Sequence, residues 1–379
     1  MHDPTRTRLP ALDVFRGLTV AGMLLVNNPG TWSAIYPPLA HATWHGWTPT
    51  DLIFPFFLFI VGVTTHLSLE ARRQRGSNDA ALVRQVVRRG ALIIVCGLLL
   101  ASFPWIPLTR ITEVRIPGVL QRIGLAYLVA GLVVLRTSWR QQLAVLLAIL
   151  VGYWALMTMV PVPGYGLGPF NLDDPSASLA AWIDRSVFGS HLWRSSKTWD
   201  PEGLLSTLPA VGTGLCGSFV GRWLGTQRPL PDRLLALACV GSLAMVLGLM
   251  WHWTFPINKS LWTSSYVVFT AGMGAVALAT CTWLVDVLGI TSWTAPFHWF
   301  GRNPMIAFLG SGAMARLMGS IVTVPVDGAQ VPLQRVIYDH GFASWLAPRN
   351  ASLLYAITFV ACWAAILYAL DRRKVYFKV

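Results

Sequence analysis

Long apolar runs separated by short polar segments dominate the chain. Each run is close to the length that crosses the hydrocarbon core of a bilayer as a helix. The pattern therefore predicts an all-α integral membrane protein with about ten transmembrane helices in a single bundle. The predicted spans cover about 12–29, 51–69, 90–106, 117–135, 142–160, 204–221, 234–253, 263–285, 296–316 and 350–370.

The composition supports the same conclusion. Of the 379 residues, 54% are hydrophobic and only 12% are charged, which is too apolar for one soluble core. The segments between the runs are too short to form a separate soluble domain, so residues 1–379 are predicted to form a single transmembrane domain. The longest connecting segment, 161–203, is expected to act as a lid over the spans, and "ASLAAWIDRSVFG" within it could form a short surface helix.

The formal net charge of +13 is explained by membrane topology rather than by nucleic-acid binding, because the arginines lie in short segments between spans. The positive-inside rule places these basic segments, among them 71–90 and 371–379, in the cytoplasm. Both termini are then predicted to be cytoplasmic. The segments 30–50, 107–116, 161–203 and 317–349 fall on the outer side, which is the expected substrate-facing side.

Titratable residues stand directly before the second span, in "HATWHGWTPTDLIFPFFLFIVG" (41–62). Asp51 follows "TPT", so its side chain could simply cap the start of a helix. His41 and His45 lie among tryptophans, which are typical of a membrane interface. Alternatively, Asp51 orients His41, and His41 acts as a general base. The residues alone leave both interpretations open.

Further polar residues stand at the outer ends of the sixth and eighth spans, in "WDPEGLL" and "PINKSLWTSSY". Ordinary helix capping is one explanation. The other is a site for a polyhydroxylated or amino-bearing ligand, with tryptophan rings available for stacking on a sugar. The candidate substrate-binding residues are Asp200, Glu202, Asn258, Lys259 and Trp262.

The sequence contains no recognisable metal-binding or nucleotide-binding motif. The five cysteines lie within apolar runs and lack metal-type spacing, so no metal site is predicted. No P-loop, Rossmann glycine fingerprint or nucleophile elbow is present. Arg122 is different, because it lies deep in "RIPGVLQRIG" without a partner nearby in sequence, which suggests a role beside an anion or a buried acid.

Seven blocks together resemble the family of heparan-α-glucosaminide N-acetyltransferases and its bacterial NagX-type members. They occur in order along the whole chain: "LDVFRG", "HATWHGWTPTDLIFPFFLFIVG", "RIPGVLQRIG", "WDPEGLL", "PINKSLWTSSY", "GRNPM" and "RRKVYFKV". The resemblance implies a transmembrane acetyltransferase that takes the acetyl group from cytoplasmic acetyl-CoA. It also implies an amino sugar or a glucosamine-containing glycan as acceptor at the outer face.

The resemblance also implies roles for particular residues. The family's active-site histidine matches His41 rather than His45, its aspartate matches Asp51, and its asparagine matches Asn27. Asn27 and Asn258 are the candidates for stabilising the oxyanion. His41 acts either as a base or as a nucleophile that forms an acetyl-histidine. The residues expected to bind the CoA phosphates are Arg88, Arg89, Arg115, Arg122 and Lys378.

The chain begins close to the first matching block, which favours a bacterial inner membrane over a lysosome and a small acceptor over polymeric heparan sulfate. The expected partners are acetyl-CoA, the sugar and the lipid bilayer, and a homodimer is compatible with the sequence. A carrier of N-acetylglucosamine is the rival function, because intramembrane polar groups also suit transport.

Overall fold

The computed structural model describes residues 9–104 and 113–377. Almost all regular structure in this part of the chain is helical. The α-helices are α1 Pro10–Asn27, α2 Pro49–Gln74, α3 Asp79–Ser102, α4 Val119–Arg136, α5 Trp139–Met159, α6 Leu179–Phe188, α7 Leu204–Leu224, α8 Leu230–Trp251, α9 Ser264–Thr282, α10 Ala295–Arg302, α11 Pro304–Arg316, α12 Leu333–Tyr338 and α13 Pro348–Arg372. One antiparallel hairpin joins β1 Thr323–Val326 to β2 Ala329–Pro332.

The prediction of an all-α multi-pass membrane protein is confirmed. Nine helices of the described chain are long and apolar enough to cross a membrane. The first predicted span is the helix α1, which is not among the nine because Asp13 and Arg16 reduce the apolar character of its 18 residues. The other nine predicted spans correspond to α2, α3, α4, α5, α7, α8, α9, α11 and α13.

The helices α2, α4, α7 and α9 form the centre of the bundle. In α7, 67% of the apolar membrane-spanning stretch is buried by other parts of the protein. The corresponding share in α8 is 22%, so α8 lies at the periphery. Glycines bring the central helices into close contact. A Cβ at Gly62 of α2 would lie 2.0 Å from the carbonyl oxygen of Gly214 in α7, and a Cβ at Gly217 would lie 2.0 Å from that of Phe59. Small residues at helix interfaces are typical of membrane bundles.

The bundle has two ends. One end, which we call the His41 side, carries the connections 28–48, 113–118, 160–203, 252–263 and 322–347. The opposite end, the termini side, carries the start of α1, the short turns after α2, α4 and α7, and the segment 373–377 after α13. The segment after α13 is bound to Asn303, whose Nδ2 donates to the Val375 carbonyl (3.1 Å) and whose Oδ1 accepts from the Phe377 N–H (3.3 Å).

The long connection between α5 and α7 is ordered around α6, which coincides with the surface helix expected within 161–203. Ser178 caps α6 by accepting a hydrogen bond from the Ala181 N–H (3.2 Å). Asp184 of α6 accepts from the Leu204 N–H (2.8 Å), which ties α6 to the first turn of α7. Burial raises the pKa of Asp184 to about 7.

Candidate functional site

Asp51 performs two tasks in the first turn of α2, and its side chain is only 1% exposed. Its Oδ2 accepts hydrogen bonds from the N–H groups of Ala42 and Thr48, both at 3.0 Å. Its Oδ1 lies 2.7 Å from Nδ1 of His41. The capping and the orienting interpretations are therefore compatible, because each uses a different carboxylate oxygen.

The contact between His41 and Asp51 determines which nitrogen of the imidazole carries the proton. A carboxylate only accepts hydrogen bonds, so the Nδ1–H of His41 donates to Asp51 and the lone pair remains on Nε2. The His41 side chain is 44% exposed, whereas that of Asp51 is buried. The pair thus presents a basic nitrogen, held by a buried carboxylate, at the surface of the His41 side.

Lys259 completes a three-residue cluster with this pair. Its Nζ lies 3.1 Å from both ring nitrogens of His41 and 3.7 Å from Oδ1 of Asp51. Burial lowers the pKa of Lys259, while the negative charges of Asp51 and Glu202 oppose this shift. The cluster joins His41 in the loop before α2 to Lys259 in the turn between α8 and α9, 218 residues away.

The turn that carries Lys259 is fixed by hydrogen bonds. Asn258 is fully buried; its Oδ1 accepts from the Leu261 N–H (2.9 Å), and its own N–H donates to Oγ1 of Thr263 (3.1 Å). Trp262 has a left-handed backbone with φ of 51°, which is unfavourable for a non-glycine residue. Such a conformation persists only where the surroundings impose it, so the position of Lys259 is preorganised.

Trp262 does not serve as the predicted sugar-stacking surface. Its side chain is fully buried and packs against Phe54 (4.9 Å between ring centroids) and Tyr266 (5.3 Å). The guanidinium of Arg122 lies over the same ring at 5.1 Å. A sugar needs an exposed ring face, so the prediction that Trp262 stacks on the sugar is corrected. The ring instead packs inside the bundle, against Phe54 and Tyr266. Tyr266 in turn donates to the carbonyl of Asp51 (2.5 Å).

Arg115 is paired with the predicted substrate-binding carboxylates. It donates to both oxygens of Asp200 (2.8 and 2.5 Å) and to Glu202. Burial lowers the pKa of Arg115, but these carboxylates outweigh burial and raise it above its usual value. Burial likewise disfavours the charged form of Glu202, but Arg115 and Arg122 lower its pKa overall.

Arg122 is 1% exposed beside this ion-pair group. It donates to the Gly203 carbonyl and to Thr207 Oγ1, both at 3.3 Å, and to Ser206. Its Nη1 has no hydrogen-bond partner within 9–104 and 113–377. Arg115 and Arg122 therefore lie on the His41 side, and their contact with the CoA phosphates stays a prediction.

His45 belongs to a separate set of contacts. Its Nε2 lies 2.9 Å from Oδ1 of Asp173, and its Nδ1 lies 3.4 Å from Nδ2 of Asn258. The neighbouring Trp44 donates from its indole N–H to the Leu172 carbonyl (2.7 Å) and packs against Trp199 at 5.3 Å. His45 therefore connects the loop before α2 to the segment 161–203, whereas His41 faces Asp51.

Asn27 is exposed at the last residue of α1, on the His41 side. Within the described chain, no hydrogen bond joins it to His41 or Asp51. The structure therefore brings His41, Asp51 and Lys259 together, and it places Asn27 at the same end of the bundle without contact to them.

The remaining predicted cofactor residues lie toward the termini side. Arg88 and Arg89 are exposed on α3, and the guanidinium of Arg89 lies 5.2 Å from the centre of the Tyr127 ring in α4. Lys378 lies outside the described residues.

A small cavity with a volume of about 10 Å³ lies between α2, α4 and α7. Thr65 and Tyr127 line it near Arg89. Thr65 follows Asp51 by 14 residues in α2, which corresponds to about 21 Å at 1.5 Å per residue. The cavity lining consists of Leu58, Val61, Gly62, Thr65, Ala126, Tyr127, Ala130, Val134, Gly214 and Ser218.

Sequence reasoning missed two residues that support the site. Tyr266 stabilises the start of α2 by its bond to the Asp51 carbonyl, and Tyr127 contacts Arg89 at the cavity. Tyr266 closes the block "PINKSLWTSSY", so its membership of that block was the available signal. Tyr127 carries no local signal, because one tyrosine in an apolar span is ordinary.

The fold and the site define a polytopic α-helical membrane protein with a buried aspartate, a half-exposed histidine and a lysine clustered at one end of the bundle. A family model described as "Heparan-alpha-glucosaminide N-acetyltransferase, catalytic" matches residues 8–228. The match covers more than half of the chain, so the protein belongs to this family, as the seven sequence blocks indicated.

Full-length relatives agree with the family model. The proteins named heparan-alpha-glucosaminide N-acetyltransferase from Homo sapiens and Mus musculus are each 28% identical to this protein, over 98% of its chain. The alignment covers 60% of each relative, so the chain spans about 60% of the length of the curated relatives it matches. Lys259, Asn258 and Tyr266 lie beyond the segment that the family model matches.

Proposed function

We propose that this protein is a membrane-embedded acetyltransferase that moves an acetyl group from acetyl-CoA to the amino group of a glucosamine-type sugar. The observation that carries the proposal is the 2.7 Å contact between Nδ1 of His41 and Oδ1 of Asp51. It leaves a basic Nε2 at the surface, as general-base catalysis requires. Membership of the family supports the reaction type.

His41 and Asp51 account for the proton transfer. The acceptor nitrogen attacks the thioester carbonyl carbon, a C–N bond forms, and the carbonyl electron pair moves to oxygen. Nε2 of His41 takes the proton from the nitrogen, and Asp51 stabilises the resulting imidazolium. Collapse of the adduct breaks the C–S bond and releases CoA, which receives the proton. Asn27, at the same end of the bundle, remains a candidate for stabilising the oxyanion.

The same lone pair on Nε2 also permits attack by His41 itself, with an acetyl-histidine as intermediate. The two routes differ in one observable. Incubation of the protein with acetyl-CoA alone releases a stoichiometric burst of CoA in the covalent route and none in direct transfer.

The pantetheine arm is proposed to run along the interface of α2, α4 and α7, where the small cavity lies. Arg89 contacts Tyr127 of the cavity lining, and Arg88 precedes it on the exposed part of α3, so both suit the diphosphate and the 3′-phosphate of CoA. Thr65, which lines the cavity, and Asp51 are about 21 Å apart along α2. An extended pantetheine arm can cover this distance. Lys378 is proposed to join the arginines, as the family resemblance implies.

The charge distribution supports the cytoplasm as the location of the termini side. Basic residues are concentrated in the turns at that end of the helices, as the positive-inside rule requires. The acceptor then binds at the outer face of a membrane, which we propose is the bacterial inner membrane. Segment 161–203 is proposed to cover the acceptor, supported by the contacts of Asp173 and Leu172 with His45 and Trp44.

The test is a transfer assay on the purified full-length protein in lipid nanodiscs. CoA release from acetyl-CoA is measured against glucosamine, galactosamine and N-acetylglucosamine. Release with glucosamine but not with N-acetylglucosamine, which lacks a free amine, is the expected result. Saturable calorimetric binding of N-acetylglucosamine without any binding of acetyl-CoA would instead support the rival carrier function.

A further inference from the structure

We propose that Lys259 is a catalytic residue that stabilises the negative oxygen of the tetrahedral adduct formed beside His41. This inference rests on the proposed acetyl transfer and adds a role for a residue from outside the segment that the family model matches. Lys259 Nζ lies 3.1 Å from Nε2 of His41, the atom that takes the acceptor proton.

The geometry follows from the position of the base. An acceptor nitrogen within hydrogen-bond reach of Nε2 is bonded to the attacked carbon in the adduct, and the negative oxygen is bonded to that carbon. The oxygen is therefore only a few ångströms from Nε2. An ammonium at 3.1 Å from the same nitrogen is close enough to donate to this oxygen, and an oxyanion is best stabilised by donors at about 2.7–3.1 Å.

Other cations and amides near the site are engaged elsewhere. Arg115 donates to Asp200 and Glu202, and Arg122 lies against Trp262 and donates to neutral groups. The Asn258 amide faces His45 at 3.4 Å. Within the described chain, Lys259 is the cation that contacts His41 directly.

The surroundings of Lys259 hold it in place. Asp51 lies 3.7 Å away, and Glu202 adds a second negative charge, and both oppose the lowering of the Lys259 pKa by burial. The backbone of the turn is fixed by Asn258 and by the left-handed Trp262. Little reorganisation is then needed when charge develops on the oxygen, which is the condition under which an oxyanion contact is most effective.

The experiment measures kcat and KM for glucosamine, with acetyl-CoA as donor, in nanodiscs that contain the wild type, Lys259→Met, Lys259→Arg or Lys259→Ala. We expect Lys259→Met to lower kcat by about 100- to 1,000-fold, with the calorimetric Kd for acetyl-CoA nearly unchanged. Lys259→Arg keeps the charge and should retain more activity than Lys259→Met. Arg349→Met, an exposed cation at the start of α13 on the same side of the bundle, is the control and should behave as wild type.

Chemical rescue separates a catalytic from a structural role. Ethylammonium should restore part of the kcat of Lys259→Ala, which a misfolded variant cannot show. A rise in the KM for glucosamine with unchanged kcat, or loss of acetyl-CoA binding without rescue, would overturn the role of Lys259 while leaving acetyl transfer intact. Absence of transfer by the folded wild type would overturn the proposed function and this role with it.

Discussion

The replacement Asp51→Asn separates the two tasks of this carboxylate. The amide oxygen of asparagine can still accept from the N–H groups of Ala42 and Thr48, so the start of α2 keeps its cap. The amide NH₂ then faces Nδ1 of His41, and two donors cannot pair. The imidazole proton therefore moves to Nε2, and His41 loses the lone pair that the reaction uses.

The expected loss of rate follows from this tautomer change. In a serine-protease triad, the corresponding replacement lowers kcat by about 10⁴-fold, which is about 5.4 kcal/mol of barrier at about 1.36 kcal/mol per decade. A comparable loss is expected for this protein, because Oδ1 of Asp51 makes the same kind of contact at 2.7 Å. The loss of a helix cap would by contrast cost only about 1 kcal/mol of stability.

The assay combines three measurements on purified Asp51→Asn in nanodiscs: kcat for CoA release with glucosamine, the calorimetric Kd for acetyl-CoA, and the melting temperature. We expect a large loss of kcat with little change in the other two. Asp51→Ala is the comparison, because it also removes the cap and should lower the melting temperature as well. Turnover of Asp51→Asn within tenfold of wild type would refute the orienting role and reduce Asp51 to a cap.

Three further predictions concern other parts of the molecule. His41→Ala should abolish acetyl transfer, while His45→Ala, which breaks a contact to an exposed carboxylate and a 3.4 Å contact to the Asn258 amide, should retain much of it; equal losses in the two variants would contradict the assignment. Arg89→Ala should raise the calorimetric Kd for acetyl-CoA by roughly 10- to 150-fold, since a charge-assisted hydrogen bond contributes about 1.5–3 kcal/mol, and Arg140→Ala, an exposed arginine at the start of α5, is the control. Burial raises the pKa of Asp184 to about 7, so the protonated carboxyl stabilises the fold and this stability is lost as pH rises from about 4 to about 7. Asp184→Asn should flatten the fall of the melting temperature in this range, and an unchanged slope would show that another group causes the fall.

The fold was predictable because run length alone specifies membrane helices, and the start of α2 could be read within a few residues. The pairing of His41 with Asp51 was also within reach, since ten residues of loop and helix start separate them. The pairing of Arg115 with Asp200 could not be read from the sequence, because 85 residues separate the two. Local sequence contains no information about which distant carboxylate neutralises an arginine.

The burial of Trp262 could not be predicted from local sequence for a similar reason. A tryptophan at the end of a span looks like an interfacial ring, and only the packing of α2, α4 and α9 around it shows that it is fully buried. The contact of Lys259 with His41 also depends on tertiary structure, since 218 residues separate the two. The residue types at the site could be selected from the sequence, whereas their partners depend on how the helices assemble.

The cavity between α2, α4 and α7 also matters for the membrane potential. Any passage between the two ends of a membrane protein is a route along which protons could leak. Of the residues that line this cavity, three carry hydroxyl groups, namely Thr65, Tyr127 and Ser218, and the others are aliphatic or glycine. Such a wall offers protons no continuous chain of hydrogen-bonding side chains, and charge in an apolar interior is costly. The lining of this small cavity therefore does not by itself provide a proton path between the two ends of the bundle.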